Sequence, residues 1–202
     1  NLGMVRKLSN TFVFDVYDSV RDLPGSTKAR QLIVRTGLEY LDNLSRNAAG
    51  DTGLQRELAA AYRRIGDVQG NVMGANLGKT SEGLSSYARA LALLESVLRD
   101  DPANREAAME EVLVHQRIAA IRAYGTDWKL ALASFESAQR RAEALLARSP
   151  GDEKAGRRLA EVHLDIAQLA RRRSDFTRVR TELTRARDLL ERYEKAHPGD
   201  RD

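Results

Sequence analysis

The chain has 202 residues, of which 42% are hydrophobic, 31% charged and 5% aromatic. Its formal net charge is only +4 and the two signs alternate along most segments, so the composition does not demand a nucleic acid as partner. The lack of cysteine excludes disulfides and thiolate metal sites, and no apolar stretch reaches the ~20 residues of a membrane span. Because the chain opens at Asn1, partway into a helical pattern, we expect it to be a fragment of a longer protein.

A proline motif recurs at a fixed interval and organises the chain. Asp101-Pro102-Ala103-Asn104 returns as Ser149-Pro150-Gly151-Asp152 and again as His197-Pro198-Gly199-Asp200, so positions 102, 150 and 198 lie 48 residues apart. Periods of ~20–50 residues are typical of repeat architectures. The interval predicts one domain over 1–202, built from four units at approximately 1–49, 50–101, 102–149 and 150–197.

Each unit carries two apolar stripes at the i, i+3, i+4 and i+7 spacing of an amphipathic helix, and no β-alternation is present. The sequence therefore predicts two antiparallel helices per unit. In chain order, the first-helix stripes are Val13, Phe14, Tyr17, Val20; Ala61, Tyr62, Ile65, Val68; Val114, His115, Ile118, Ile121; and Val162, His163, Ile166, Leu169. The second-helix stripes are Val34, Gly37, Leu41, Leu44; Tyr87, Ala90, Leu94, Val97; Phe135, Ala138, Ala142, Leu145; and Leu183, Ala186, Leu190, Tyr193.

Helix-breaking residues fall between the stripes. Pro24-Gly25 precedes Ser26 or Thr27 as a predicted N-cap, and Ser174-Asp175 is a predicted turn. Each later unit is expected to carry its proline in the first helical turn. The second unit holds five extra residues between positions 66 and 83, which predicts a longer connection there. One hairpin cannot bury its own stripe, so the fold class is all-α, an α-solenoid of about four stacked hairpins.

The segment Ala131-Leu132-Ala133-Ser134-Phe135-Glu136-Ser137-Ala138, followed by Pro150, resembles the tetratricopeptide repeat (TPR). Two departures are a period of 48 instead of about 34 and the missing signature tryptophan of the first helix. In such arrays the first helix of each pair lines a concave groove that holds an extended peptide. The groove residues that this resemblance implies here are Asp15, Asp22, Arg63, Asp67, Asn71, Gln116, Tyr124, Gln168, Arg171 and Arg172.

Nearly the whole chain also resembles the C-terminal TPR region of membrane-anchored bacterial serine/threonine protein kinases of the Acidobacteria type. The segments that carry this resemblance are Val5-Arg6-Lys7-Leu8-Ser9-Asn10, Arg21-Asp22-Leu23-Pro24-Gly25-Ser26-Thr27-Lys28-Ala29-Arg30, Leu38-Glu39-Tyr40-Leu41-Asp42, Leu54-Gln55-Arg56-Glu57-Leu58, Ile65-Gly66-Asp67-Val68-Gln69-Gly70-Asn71 and Ala75-Asn76-Leu77-Gly78. The resemblance implies a kinase domain and one membrane helix upstream of Asn1. It also implies that these repeats lie outside the cytoplasmic membrane, with membrane contact only through the upstream segment.

Three patterns suggest chemistry, and each has a simpler interpretation. Gly74-Ala75-Asn76-Leu77-Gly78-Lys79-Thr80 is close to a nucleotide-binding loop, but only three residues separate its glycines and no strand precedes it, which favours an ordinary insertion. His115 and His163, one period apart, could begin a metal site, although packing is the simpler role. The arginine-rich stretch from 171 to 187 could attract an acidic partner, but interleaved acids indicate a solvated helix face.

No kinase signature or nucleophile motif occurs in the chain, so we predict a non-catalytic module without cofactor or metal. It would bind a protein or peptide, or self-associate, as the sensor or scaffold region of a larger kinase, and no nucleic-acid partner is expected. The alternatives are a free-standing cytoplasmic adaptor or assembly scaffold and, as an enzymatic hypothesis, ATP binding at Gly78-Lys79-Thr80.

Overall fold

The computed structural model of the protein describes residues 25–125 and 127–196. Within these ranges every regular element is a helix, which confirms the all-α helical-repeat fold. The predicted helix through Val13 and Val20 lies outside the described residues. None of the described helices is long and apolar enough to cross a membrane. The helices are α1 (Thr27–Ser45), α2 (Thr52–Gly70), α3 (Thr80–Asp100), α4 (Arg105–Tyr124), α5 (Trp128–Arg148), α6 (Glu153–Arg172) and α7 (Phe176–Ala196).

The helices pair as the repeat predicts. α2 packs against α3, α4 against α5, and α6 against α7, while α1 packs on α2. The described residues up to Asp100 form one compact unit, and those from Asp101 onward form a second. In the second unit the two hairpins stack, because α6 packs on α5 and also contacts α4. One apolar cluster containing Val112, Phe135 and Ile166 joins these three helices.

The predicted stripes form most of the core of both units, although Leu44, Val68 and His115 are only half-buried and the stripe of α7 departs further. Tyr87, Leu94 and their stripe partners on α3 are fully buried, as is nearly all of the α5 stripe. On α7, however, Leu183 and Leu190 are 46% and 44% exposed. Their counterparts one period earlier lie on α5, where α6 packs against them. No described helix follows α7 to do the same, so the prediction of burial at these two positions was wrong.

Most described helices begin at a carboxylate or amide cap. The side chains of Asn104 and Asp152 accept hydrogen bonds from the third amide beyond them, those of Ala107 and Ala155, at 3.0 Å. Asp51 and Asp127 cap α2 and α5 in the same way. Ser26 stands at the N-cap position of α1, but its side chain accepts no such bond, contrary to expectation.

Pro102 and Pro150 of the repeat motif lie in turns rather than in helices, and Pro198 lies outside the described residues. The amide of Asn104 donates to the carbonyl of Asp101 at 3.0 Å, and the amide of Asp152 donates to that of Ser149 at 2.9 Å. Each of these two motifs is therefore a four-residue turn with proline at its second position, where the fixed φ of proline is favourable. The helix begins only after the turn, at Arg105 or Glu153, so the predicted first-turn proline was wrong.

The longer connection predicted in the second unit is present as residues 71–79. Two asparagines order it: Asn76 Nδ2 donates to the carbonyls of Asn71 and Gly74, and Asn71 Oδ1 accepts from the Met73 amide. Gly78 adopts a φ of +72°, which glycine tolerates at no steric cost. The other two hairpins need only residues 125–127 and 173–175 as connections. The insertion is therefore a compact loop that closes on the end of α2.

Candidate functional site

The first unit uses its predicted groove residues within its own structure. Arg63 Nη1 lies 2.7 Å from Asp67 Oδ2, and the Tyr87 hydroxyl donates to Asp67 Oδ1 at 2.7 Å. Asn71 ends α2 and orders the loop that follows it. All three groove residues are half-buried. Asp15 and Asp22, the two groove residues predicted for the first repeat, lie outside the described residues.

In the second unit α4 and α6, the first helices of successive hairpins, lie side by side. Gln116 of α4 is only 7% exposed, and its Nε2 donates to Asp165 Oδ2 of α6 at 2.9 Å. Gln116 therefore fastens the two helices together rather than presenting its amide to solvent. The repeat register had placed it on the groove face, and the sequence gives no signal of this cross-helix bond.

Around this bond runs a polar surface that we call the α4–α6 surface. Tyr124, at the end of α4, is 73% exposed, and Gln168 and Arg172 are exposed on the Asp165 side of α6. Residues four and seven apart share a face of a helix, which puts Glu161, Asp165, Gln168 and Arg172 in one row. This row contains predicted groove residues that solvent reaches. Arg171, also predicted, is exposed beside it.

The sequence analysis did not identify Asp165, whose charged form is disfavoured on this surface. Burial raises the pKa of its carboxyl above the ordinary value, and the charge of Glu161 raises it further. The hydrogen bond from Gln116 and the charges of Arg117 and Arg158 act in the opposite direction without cancelling the effect. Carboxyls held away from their usual pKa are enriched at functional sites, although structural networks perturb them too.

The two histidines one period apart occupy different environments. His163 is fully buried on α6, and its Nδ1 lies 2.6 Å from Glu182 Oε2 of α7, which is equally buried. His115 is half-buried on α4, with its Nε2 3.7 Å from Glu111 Oε1, and Glu111 also pairs with Arg141 at 2.7 Å. Each imidazole thus has its own carboxylate. Among the described residues no three histidine, aspartate or glutamate side chains are grouped so that they could hold a metal ion.

Successive amides of the loop that resembles a nucleotide-binding motif are hydrogen-bonded within the protein. The amide of Leu77 donates to the Val68 carbonyl at 2.9 Å, and that of Lys79 donates to the Gln69 carbonyl at 2.8 Å. The Gly78 amide donates to Asn76 Oδ1 at 2.6 Å. A phosphate-binding loop requires such amides to point at the ligand, so this loop is built as a connection.

Each unit has a cavity that is bordered by described helices. The larger, about 390 Å³, lies between α1, the end of α2 and the insertion loop, and Leu32, Arg35, Leu77 and Lys79 are among its lining residues. The smaller, about 80 Å³, lies beside Trp128 where α5 begins and α6 ends. Sequence periodicity signalled neither cavity, because each forms where the ends of several elements meet.

The arginine-rich stretch is divided by the fold. Arg178 Nη2 lies 2.9 Å from Glu136 Oε1 of α5, and Arg187 Nη2 lies 2.8 Å from Asp188 Oδ1. These arginines form the solvated, paired face that the interleaved acids predicted. Arg171, Arg172 and Arg173, in contrast, are exposed at the end of α6, and the guanidinium carbon of Arg173 lies 4.8 Å from the centroid of the Trp128 ring.

No protein-family model matches the chain, and a search of curated proteins returns no match.

Proposed function

We propose that the chain is a non-catalytic module that binds a protein or peptide through the α4–α6 surface. The observation that supports this most directly is the side-by-side packing of α4 and α6, fixed by the Gln116–Asp165 hydrogen bond. This packing places the first helices of two hairpins in one continuous face with exposed Tyr124, Gln168 and Arg172. An amide, a phenol and an arginine can hold the backbone and acidic side chains of an extended segment.

The raised pKa of Asp165 is consistent with a binding role for this surface. Burial disfavours the charged form of this carboxyl, and groups with a shifted pKa are enriched at functional sites. The ATP hypothesis gains no support, because the amides of Leu77, Gly78 and Lys79 already donate to groups of the protein.

Peptide selection on the immobilised chain tests this proposal. Peptides enriched from a displayed random library should lose tenfold or more of their affinity for the double variant Tyr124→Ala/Gln168→Ala. Two lost contacts of about 1–2 kcal/mol each together exceed the ~1.4 kcal/mol of a tenfold change. Arg140→Ala is the matched control, since Arg140 is an exposed residue of α5 in the same unit. Equal binding by the double variant, or the absence of any selected peptide, would contradict the proposal.

Self-association through the same surface is the second kind of binding that we propose. Sedimentation of the chain over a range of concentrations should then show a dimer or larger species that the double variant weakens. A species that persists unchanged in the double variant would show that the contact lies elsewhere, and it would refute self-association through this surface.

We further propose that the module is the sensor or scaffold region of a membrane-anchored serine/threonine kinase, lying outside the cytoplasmic membrane. The support is the sequence resemblance, carried by segments such as Ile65-Gly66-Asp67-Val68-Gln69-Gly70-Asn71. The test is the sequence of the intact polypeptide upstream of Asn1, where a kinase domain followed by one apolar span is expected. If neither is there, the chain is a free-standing adaptor or scaffold instead.

A further inference from the structure

The larger cavity, in the first unit, has the volume of a small-molecule site. Its volume of about 390 Å³ falls within the ~300–1,000 Å³ that is usual for ligand pockets. Its walls come from one face of α1, the last turn of α2, the insertion loop and the first turn of α3. A small organic molecule can therefore be enclosed between these four elements.

The insertion loop forms a fixed wall of this cavity. Leu77 and Lys79 line it, and their amides donate to the carbonyls of Val68 and Gln69 at 2.9 and 2.8 Å. The smaller cavity takes the equivalent place in the second unit, where the second helix of one hairpin meets the end of the next first helix. The connection there is only residues 173–175, and the volume is only about 80 Å³. The larger cavity thus occurs where the chain carries the insertion.

Two glutamines give the larger cavity polar groups where the smaller one is apolar. Gln31 of α1 takes the place that Leu132 has two repeat units later, and Gln69 of α2 takes that of Ala170. Gln69 is only 1% exposed, and its Oε1 accepts from the Ser86 hydroxyl at 2.6 Å. Among the described residues no group accepts a hydrogen bond from its Nε2. A buried amide donor of this kind needs a partner, which a ligand in the cavity can supply.

The cavity also carries two cations that no carboxylate neutralises. Lys28 and Arg35 lie two turns apart on the cavity face of α1, and among the described residues neither forms a salt bridge. Lys79 differs, because its Nζ lies 2.9 Å from Glu82 Oε1. Glu82 is the one carboxylate of the described lining, and Glu39, one turn beyond Arg35, does not line the cavity. Three cations against one carboxylate leave the lining with a net charge of +2.

We propose that this cavity binds a small aliphatic carboxylate. The charges of Lys28 and Arg35 attract the carboxylate group, and the Gln69 amide donates a hydrogen bond to it. The hydrocarbon chain is buried against leucines of the lining such as Leu32 and Leu77. A nucleotide fits less well, because the described lining contains no aromatic ring on which a base could stack. The site goes beyond the peptide binding proposed above, since every lining residue belongs to the first unit.

Isothermal titration of the chain with sodium octanoate tests the proposal. We expect saturable heat with a dissociation constant of about 1 mM or below, an affinity within reach of a ligand of about ten non-hydrogen atoms. Butanoate should bind about tenfold more weakly or worse, because its shorter chain buries fewer methylene groups. Octylammonium should lose at least about tenfold as well, because its cation is repelled by the positive lining.

Three variants locate the binding. Lys28→Gln/Arg35→Gln removes both unpaired cations and should weaken octanoate about tenfold or more. Gln69→Glu keeps an acceptor for Ser86 but replaces the amide donor by a carboxylate oxygen, so it should weaken octanoate too. Arg46→Gln is the matched control and should leave the affinity unchanged, since Arg46 is exposed just beyond the other end of α1. Circular dichroism establishes that each variant remains helical before it is titrated.

Several results would overturn this inference. They are no saturable heat with octanoate, equal binding of octylammonium, or unchanged affinity in Lys28→Gln/Arg35→Gln. Tighter binding of inorganic phosphate than of octanoate would also overturn it, because the aliphatic chain would then play no part in recognition. Peptide binding through the α4–α6 surface stands or falls separately, since Tyr124 and Gln168 belong to the second unit.

Discussion

Replacing Gly66 by alanine should destabilise the first unit, because α2 and α3 approach too closely there for a methyl group. A Cβ at position 66 would lie 2.6, 2.7 and 3.0 Å from three atoms of the Tyr87 ring, against ~3.5–4.0 Å for comfortable carbon contacts. Tyr87 is fully buried and its hydroxyl donates to Asp67, so the ring has nowhere to move. Overpacking costs about 1–3 kcal/mol and the higher helix propensity of alanine offsets about 1 kcal/mol, which leaves a loss of up to about 2 kcal/mol.

The assay is urea unfolding followed by circular dichroism, with the transition analysed for two separable units. Gly53→Ala is the matched control on the same helix, because a Cβ there meets only the Asp51 carboxylate at 3.3 Å. It should be neutral or slightly stabilising. In a Tyr87→Leu background the added methyl at Gly66 should cost much less, which a double-mutant cycle measures as coupling. A Gly66→Ala variant as stable as Gly53→Ala would refute the close approach.

Three further predictions concern titrating groups. Burial, assisted by the hydrogen bond to Asp42, raises the pKa of Tyr62 to about 12, so the stabilising effect of this hydrogen bond should be complete below pH 10 and lost towards pH 12. Tyr62→Phe should remove one phenol from the late titration seen by ultraviolet absorbance and cost about 1 kcal/mol. The bidentate hydrogen bond from Arg105 lowers the pKa of Asp152, so the stability of the protein should fall as pH drops below about 4. Asp152→Ala should cost about 1 kcal/mol more than Asp152→Asn in urea unfolding, since asparagine can still cap the N-terminus of α6. The pKa of Asp165 is raised rather than lowered, so the contribution of this carboxyl to stability is lost as pH rises through its pKa in the folded protein. Asp165→Asn should therefore be more stable than the unsubstituted protein at pH 7, and the difference should vanish near pH 3. Equal stability of the two proteins at every pH would contradict this.

The predicted groove was only partly readable from the repeat register. A register assigns residues to a helix face, and it placed Tyr124, Gln168 and Arg172 on an exposed one. It could not tell that Gln116 would turn its amide to Asp165, because that depends on a side chain of another helix. The Asp165 carboxylate itself carries no sequence signal, since acidic residues at exposed helical positions are common.

The cavity beside Trp128 shows the same limit. Its wall comes from α5 and α6, and Arg173 reaches Trp128 from the following turn. These residues are far apart in the sequence and belong to different periodic patterns. A run of three arginines was visible in the sequence, but the position of Arg173 against Trp128 and the cavity was not.

The sequence by itself determined the helices and the order in which they pair. Helical periodicity, the proline motif and its spacing of 48 residues depend only on local geometry and burial, so they can be read without a structure. The tertiary structure decided which stripe positions are covered, as Leu183 and Phe135 differ although they share a register. It also decided which polar groups are used internally, as Gln116 and the amide of Lys79 are. Burial and hydrogen-bond partners depend on residues brought together from distant positions, and periodicity contains no record of those contacts.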